Sequence, residues 1–273
     1  MDPAEQHLLH DFTDGWRRSS ERWATKHSDV VTCSEADAQA AVGRWRDFPV
    51  TAHPRPTVLV GPPDRPQDGF VDGPSKMAYD AGVIDGAAGV PEEPLRILRG
   101  LGHPAPAPVT APLIVTSAEH QEATFWTDRG RCLFPAWRLE AVGARGPIWV
   151  MDEAALASCW FPPALEPGAP RSPHDAISAT LGADGVTLDY RFVGSAPSVV
   201  VCYELCLLET RTAVCIIAKA IANPELPPRA AVPAVGVTRE VRVRLSRPLG
   251  ERVLVAVDGS PVEVTHGSGE RVP

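Results

Sequence analysis

The chain has 273 residues, of which 44% are apolar and 22% charged, so it carries enough apolar side chains for a sizeable core. Its formal net charge of −8 argues against nucleic-acid binding, and it has no apolar run of about 18 residues that would span a membrane. The 29 prolines predict short helices and strands joined by long loops, because proline ends both kinds of element.

Residues 1–48 are predicted to be an N-terminal helical segment. Between Pro3 and Lys26, apolar side chains recur at helical spacing, at Leu8, Leu9, Phe12, Trp16 and Trp23. A second helix is predicted from Ser34 to Asp47, since Ser34 and Asp37 resemble a capping box.

Residues 49–160 are predicted to be a mixed, β-rich domain. Apolar runs and turn residues predict a buried strand at Thr57–Val60, a short helix or strand at Met77–Ile84, a helix at Glu92–Leu101, and strands at Leu113–Ser117, Glu122–Thr127, Cys132–Glu140 and Gly146–Met151. The turn residues 128–130 join two of these strands into a hairpin.

The C-terminal part is predicted to be an antiparallel β-sandwich of about seven strands, residues 174–266, followed by a tail, residues 267–273. A proline-rich linker, residues 161–173, precedes it and holds five prolines. Short strands with turns every 8–12 residues or so are typical of a sandwich. The predicted fold class is therefore α+β and mostly β, with N-terminal helices, a small β-domain and the sandwich.

One cysteine pair raises the question of a disulfide. If Thr210-Arg211 is a symmetric two-residue hairpin loop, Cys206 stands directly opposite Cys215 in a non-hydrogen-bonded pair, where a cross-strand disulfide is geometrically feasible. The alternative is two reduced cysteines that act as small core residues.

Two further features predict binding. Arg242 and Arg244 share one face of a strand with Glu240, which suits either a basic docking ribbon or the solvated face of a half-buried sheet. Trp160 lies beside the proline-rich linker and is predicted to sit between the two domains, either in the core or as part of a ligand platform.

A polar cluster provides the candidate catalytic residues His120, Glu122 and Asp128. The predicted hairpin could bring them together as an acid/base or metal site, while the alternative is three separate surface residues. The sequence has no phosphate-binding loop, no dinucleotide fingerprint and no nucleophile elbow, so neither a cofactor nor a metal is predicted.

The runs TFWTDRGRCLFPAWRLEAVGARGPIWVMD (Thr124–Asp152) and VTREVRVRLSRPLGERVLVAVDGSPVEV (Val237–Val264) are similar to uncharacterised actinobacterial proteins, several of which resemble secreted lipoproteins. The resemblance implies no functional residues.

The N-terminus lacks the pattern of a leader peptide, so a cytoplasmic protein is expected, with an exported mature chain as the alternative.

Three functional hypotheses follow from the sequence. The first is a non-enzymatic binding protein whose partner is another protein, without nucleic acid or a membrane span. The second is a hydrolase-type enzyme with its site at the domain junction, and the third is an accessory or immunity-type protein.

Overall fold

The computed structural model describes residues 35–102, 108–161, 176–195, 200–222 and 236–267. The chain is mostly β, with 46% strand and 17% helix, which confirms the predicted α+β, mostly-β class. The predicted helix Pro3–Lys26, most of the proline-rich linker and nearly all of the tail lie outside the described residues, and the predicted domain bounds stay a prediction.

Four helices and fourteen strands make up the described residues. The helices are α1 (Glu35–Gly43), α2 (Gly73–Asp80), α3 (Glu92–Leu101) and α4 (Glu153–Ala157). The first seven strands are β1 (Thr57–Val58), β2 (Asp64–Pro66), β3 (Ile84–Gly86), β4 (Leu113–Thr127), β5 (Gly130–Ala141), β6 (Ile148–Met151) and β7 (Cys159–Trp160). The last seven are β8 (Ala176–Leu181), β9 (Thr187–Ser195), β10 (Val200–Glu209), β11 (Ala213–Ala222), β12 (Gly236–Arg244), β13 (Val253–Val255) and β14 (Val264–His266).

The first half of the chain forms a five-stranded sheet in the order β2-β6-β5-β4-β3, in which only β3 runs parallel to its neighbour. Both faces of this sheet carry apolar clusters. Val150 belongs to one cluster and Met151 to the other, because successive side chains of a strand point to opposite faces. The two-sided burial explains why β6 is apolar at every position.

The seven C-terminal strands form two sheets, in the orders β12-β9-β8-β14 and β10-β11-β13. The core between them includes the fully buried side chains Leu188, Phe192 and Leu254. The prediction that every strand pair is antiparallel is wrong at two places, where β13 runs parallel to β11 and β14 runs parallel to β8. Parallel pairing needs a long connection, and both pairs join strands that are distant in sequence.

Helix α1 packs on the outer face of the three-stranded sheet. Trp45, just after the helix, is fully buried there, and its indole Nε1 donates to the Gly259 carbonyl oxygen at 2.9 Å. Trp160 joins the same cluster, with its ring 4.8 Å from that of Trp45. The start and the middle of the described chain therefore contact the C-terminal sheets directly.

Strand β4 is longer than the strands predicted for this part of the chain. Two strands with a break between them, Leu113–Ser117 and Glu122–Thr127, were predicted there, but β4 is one continuous strand of 15 residues. Its register to β5 shifts once, between Val115 and Ser117. The middle of the strand is polar on both faces, so the apolar alternation that marks a half-buried strand is missing.

Candidate functional site

The outer side of β4, away from β5, is paired with described strands only at its two ends. On that side β3 is the neighbour in the sheet, and it pairs only with Leu113, Ile114 and Val115. At the far end, residues 58–60 pair with the last residues of β4, where the Val60 amide donates to the Trp126 carbonyl oxygen at 2.9 Å. Between these ends, no described strand pairs with residues 116–125 on the side away from β5, and this side of the stretch is hereafter called the open edge.

The direction of the backbone groups along the open edge follows from the bonds at its far end. Because the Val60 amide reaches the Trp126 carbonyl oxygen, the backbone groups of Trp126 point away from β5. This direction alternates along an antiparallel strand, and the register to β5 is continuous from Ser117 to Thr127. The outward residues are therefore Ala118, His120, Glu122 and Thr124.

The side chains of the open edge are hydrophilic and accessible. Glu119, His120 and Glu122 are exposed, and within the described residues neither glutamate has an ion-pair partner. Arg138 stands opposite Glu119 on β5, but its Nη2 lies 2.5 Å from Glu140 Oε1. Within the described residues, the open edge therefore combines backbone N–H and C=O groups that have no partner with negative charge that no cation compensates.

The predicted catalytic residues do not come together. His120 and Asp128 are eight residues apart along one extended chain, a separation of about 26 Å at about 3.3 Å per residue. Glu122 is exposed and stands opposite Pro135. The hairpin therefore does not assemble an acid/base or metal site from these three residues.

His120 instead contacts Asp152, which was not among the predicted site residues. Its Nε2 lies 3.0 Å from Asp152 Oδ2, and its ring packs edge-on against Trp137. Asp152 also caps helix α4, because its Oδ1 accepts from the Ala155 amide at 2.7 Å. The pair thus fastens β4 to the start of a helix and holds the imidazole in one orientation.

Asp128 forms a buried ionic cluster with Arg55 and Arg129, which is hereafter called the joint. Its carboxylate is 2% exposed and accepts from Arg55 Nη2 at 2.6 Å and from Arg55 Nη1 at 3.2 Å. Arg129 lies 3.7 Å away and donates to the Arg252 carbonyl oxygen, and burial lowers the pKa of its guanidinium. The joint fastens the tip of the β4–β5 hairpin to the loop before β13.

The charges of Arg242 and Arg244 are paired with carboxylates of neighbouring residues in the same part of the fold. Arg242 donates through two nitrogens to Asp189 on β9, at 2.7 and 3.0 Å, and Arg244 lies 3.6 Å from Asp184. The hydrogen bond from Arg242 lowers the pKa of Asp189. This arrangement is the solvated face that was the alternative to a docking ribbon.

The predicted pairing of Cys206 with Cys215 is wrong by two residues. Cys206 stands opposite Ile217, and Cys215 stands opposite Leu208. The hairpin loop is wider than assumed, because the Thr210 amide bonds to the Ala213 carbonyl oxygen and the strands close at Glu209 and Val214. Both cysteines are thiols, one exposed and one buried.

The remaining candidate, Trp160, is half-buried in the apolar cluster that contains Trp45. Phe48 also contacts its ring there. Among the described residues, no group of three His, Cys, Asp or Glu side chains could hold a metal ion. Within the same residues, no helix is long and apolar enough to cross a membrane.

Comparison with known proteins finds no relative. No protein-family model, no curated protein and no solved structure matches the chain. The function is therefore inferred from the geometry of the chain itself.

Proposed function

We propose that the protein is a non-enzymatic binding protein that takes an extended segment of a partner protein as an added strand on the open edge of β4. The observation that supports this proposal is the gap in the pairing of β4, which begins after Val115 and ends before Trp126. An unpaired strand edge is a template for a further strand, and strand addition is a recurring mode of peptide recognition.

The gap has the dimensions of one docked segment. From Ala118 to Thr124 the edge runs seven residues, or about 23 Å at about 3.3 Å per residue. Its four outward residues provide four N–H donors and four C=O acceptors, each bond contributing about 0.5–1.5 kcal/mol net. The paired segments at both ends limit the length of chain that fits.

The exposed charges of the edge fit the same role. Charged side chains on an open edge hinder aggregation of identical strands while leaving the backbone available to a matching partner. Glu119, His120 and Glu122 provide that protection in the middle of the gap. Within the described residues, no comparable observation favours the hydrolase or the immunity-type alternative, because the candidate catalytic residues lie apart.

The experiment is a selection of random linear decapeptides, displayed on phage, against the folded protein. Synthetic copies of the selected peptides are then titrated against the wild type and Thr124→Pro by fluorescence anisotropy. Proline removes the outward N–H of Thr124 and its ring obstructs a neighbouring strand, whereas the bonds between β4 and β5 do not use this N–H. Thr124→Val is the control, since it changes the side chain and keeps the N–H.

We expect Thr124→Pro to weaken binding at least about tenfold, since it removes one backbone bond and blocks its neighbours, while Thr124→Val stays within about twofold of the wild type. Urea unfolding of both variants verifies that the sheet is intact. Equal affinity of the selected peptides for the wild type and a folded Thr124→Pro variant would contradict the proposal.

A further inference from the structure

We infer that the segment that docks on the open edge is basic, with Lys or Arg side chains three residues apart that face Glu119 and Glu122. This inference rests on the proposed function and adds the chemistry of the partner. It follows from the uncompensated charges along the edge and from the geometry of a paired strand.

The two glutamates lie on opposite faces of the sheet, because their positions differ by an odd number and no register shift separates them. A docked strand places one residue beside each of them, on the matching face. Opposite charges at cross-strand positions stabilise a sheet, and like charges destabilise it. A segment with basic residues at positions i and i+3 therefore matches both faces at once.

In the part of the chain that the structure describes, the surroundings of Glu119 and Glu122 leave the charge of each glutamate uncompensated. Arg138, opposite Glu119, is bonded to Glu140, so these three side chains together keep a net charge of −1. Glu122 stands opposite Pro135, which carries no charge. His120, between the two glutamates, is bonded to Asp152.

The net charge of the whole chain also favours a basic partner. A formal net charge of −8 attracts a basic segment over distances of about one Debye length, roughly 10 Å at 0.1 M salt. Binding should therefore weaken as the salt concentration rises.

A second copy of this chain fits the edge less well. Two antiparallel copies of β4 would bring four glutamates to one seam. In the register that sets His120 opposite Glu122, each Glu119 would face Ala123 of the other copy and find no positive partner. Both imidazoles are moreover already engaged by Asp152 within their own chain.

The same peptide selection tests the inference through the sequences that it returns. We expect selected peptides to carry Lys or Arg at positions i and i+3 within a β-branched context. A selected peptide and its copy with glutamine at those two positions are then titrated against the wild type and the Glu119→Gln/Glu122→Gln variant. Glu35→Gln/Glu92→Gln, which removes the same charge from helices α1 and α3, is the matched control.

The basic peptide should lose about 2- to 30-fold in affinity on the Glu119→Gln/Glu122→Gln variant, the effect of two cross-strand ion pairs, and much less on the control. The glutamine peptide should bind all three proteins alike. Selected peptides without basic residues, or basic peptides that ignore the loss of Glu119 and Glu122, would overturn the inference.

These failures are distinguishable from a failure of the proposed function. If the charge variants have no effect but Thr124→Pro still abolishes binding, strand addition stands and the basic partner does not. If Thr124→Pro has no effect, strand addition itself is wrong. A wild-type dimer in analytical ultracentrifugation that Thr124→Pro dissociates would identify a second copy as the occupant and overturn the inference.

Discussion

Replacing Asp128 with asparagine removes the only carboxylate buried in the joint between the hairpin tip and the C-terminal sheets, as far as the described residues show. In the folded protein this side chain accepts two hydrogen bonds from Arg55 and lies beside Arg129. The substitution keeps the size of the side chain. It leaves two largely buried guanidinium groups facing an amide, whose own N–H groups cannot accept their bonds.

The expected cost is about 3 kcal/mol in the free energy of unfolding, the low end of the range for one partner lost from a buried ion pair, because Arg55 Nε keeps Glu251 Oε2 at 3.3 Å. Asp189→Asn is the matched control, because Asp189 forms the same two-bond contact with Arg242 near the surface. That arginine is 73% exposed, whereas Arg55 is 12% exposed. An ion pair exposed to solvent contributes little to stability, so the control should change the free energy of unfolding far less than Asp128→Asn does.

Urea denaturation, followed by tryptophan fluorescence, measures both variants under the same conditions. We expect a large loss for Asp128→Asn and a small one for Asp189→Asn. Similar losses for the two variants would refute the argument that burial sets the contribution of an Arg–Asp pair here. A small loss for both would show that the joint does not stabilise the fold.

Two further predictions concern the C-terminal sheets. Cys206 is exposed and Cys215 is buried, so iodoacetamide should alkylate Cys206 first in the native protein, as peptide mass spectrometry can show, and equal rates would contradict this burial. Burial alone raises the pKa of Glu209, but hydrogen bonds from Ser246 and Arg252 lower it below 4.5. The stability from this carboxylate is therefore present above that pH and lost as the pH falls through the lowered pKa. Glu209→Gln should flatten the pH dependence of unfolding below about pH 4.5 in urea titrations, and an unchanged pH profile would contradict the shift.

Much of the C-terminal fold could be predicted from the sequence. The predicted sandwich of about seven strands at residues 174–266 appears as the seven strands β8 to β14. Their apolar alternation and flanking turn residues are local signals. The register of the hairpin between β10 and β11 was not predictable, because it depends on how the loop at Thr210 closes.

The candidate site was not predictable from apolar periodicity. The run at residues 118–121 interrupts the apolar pattern of β4 and lies between the two strands predicted there, Leu113–Ser117 and Glu122–Thr127. In the structure the run is the exposed middle of one strand, polar because neither of its faces is buried there. A polar run between two β-like segments of compatible register is the signal that could have indicated an open edge.

Contacts between residues that are distant in sequence could not be predicted either. Arg55 and Asp128 are separated by 73 residues, and His120 and Asp152 by 32. The sequence shows that these groups are charged or polar. Only the folded topology shows which of them meet.

Amide-resolved hydrogen exchange along β4 tests the open edge most directly, and it needs no partner. We predict rapid exchange for the outward amides of His120, Glu122 and Thr124. The amides of Gln121 and Ala123, which point toward β5, should exchange more slowly, since their opening requires the β4–β5 pair to separate. Equal protection of both sets of amides would show that another segment already occupies this side of β4, and it would contradict the proposal that the edge is open to a partner.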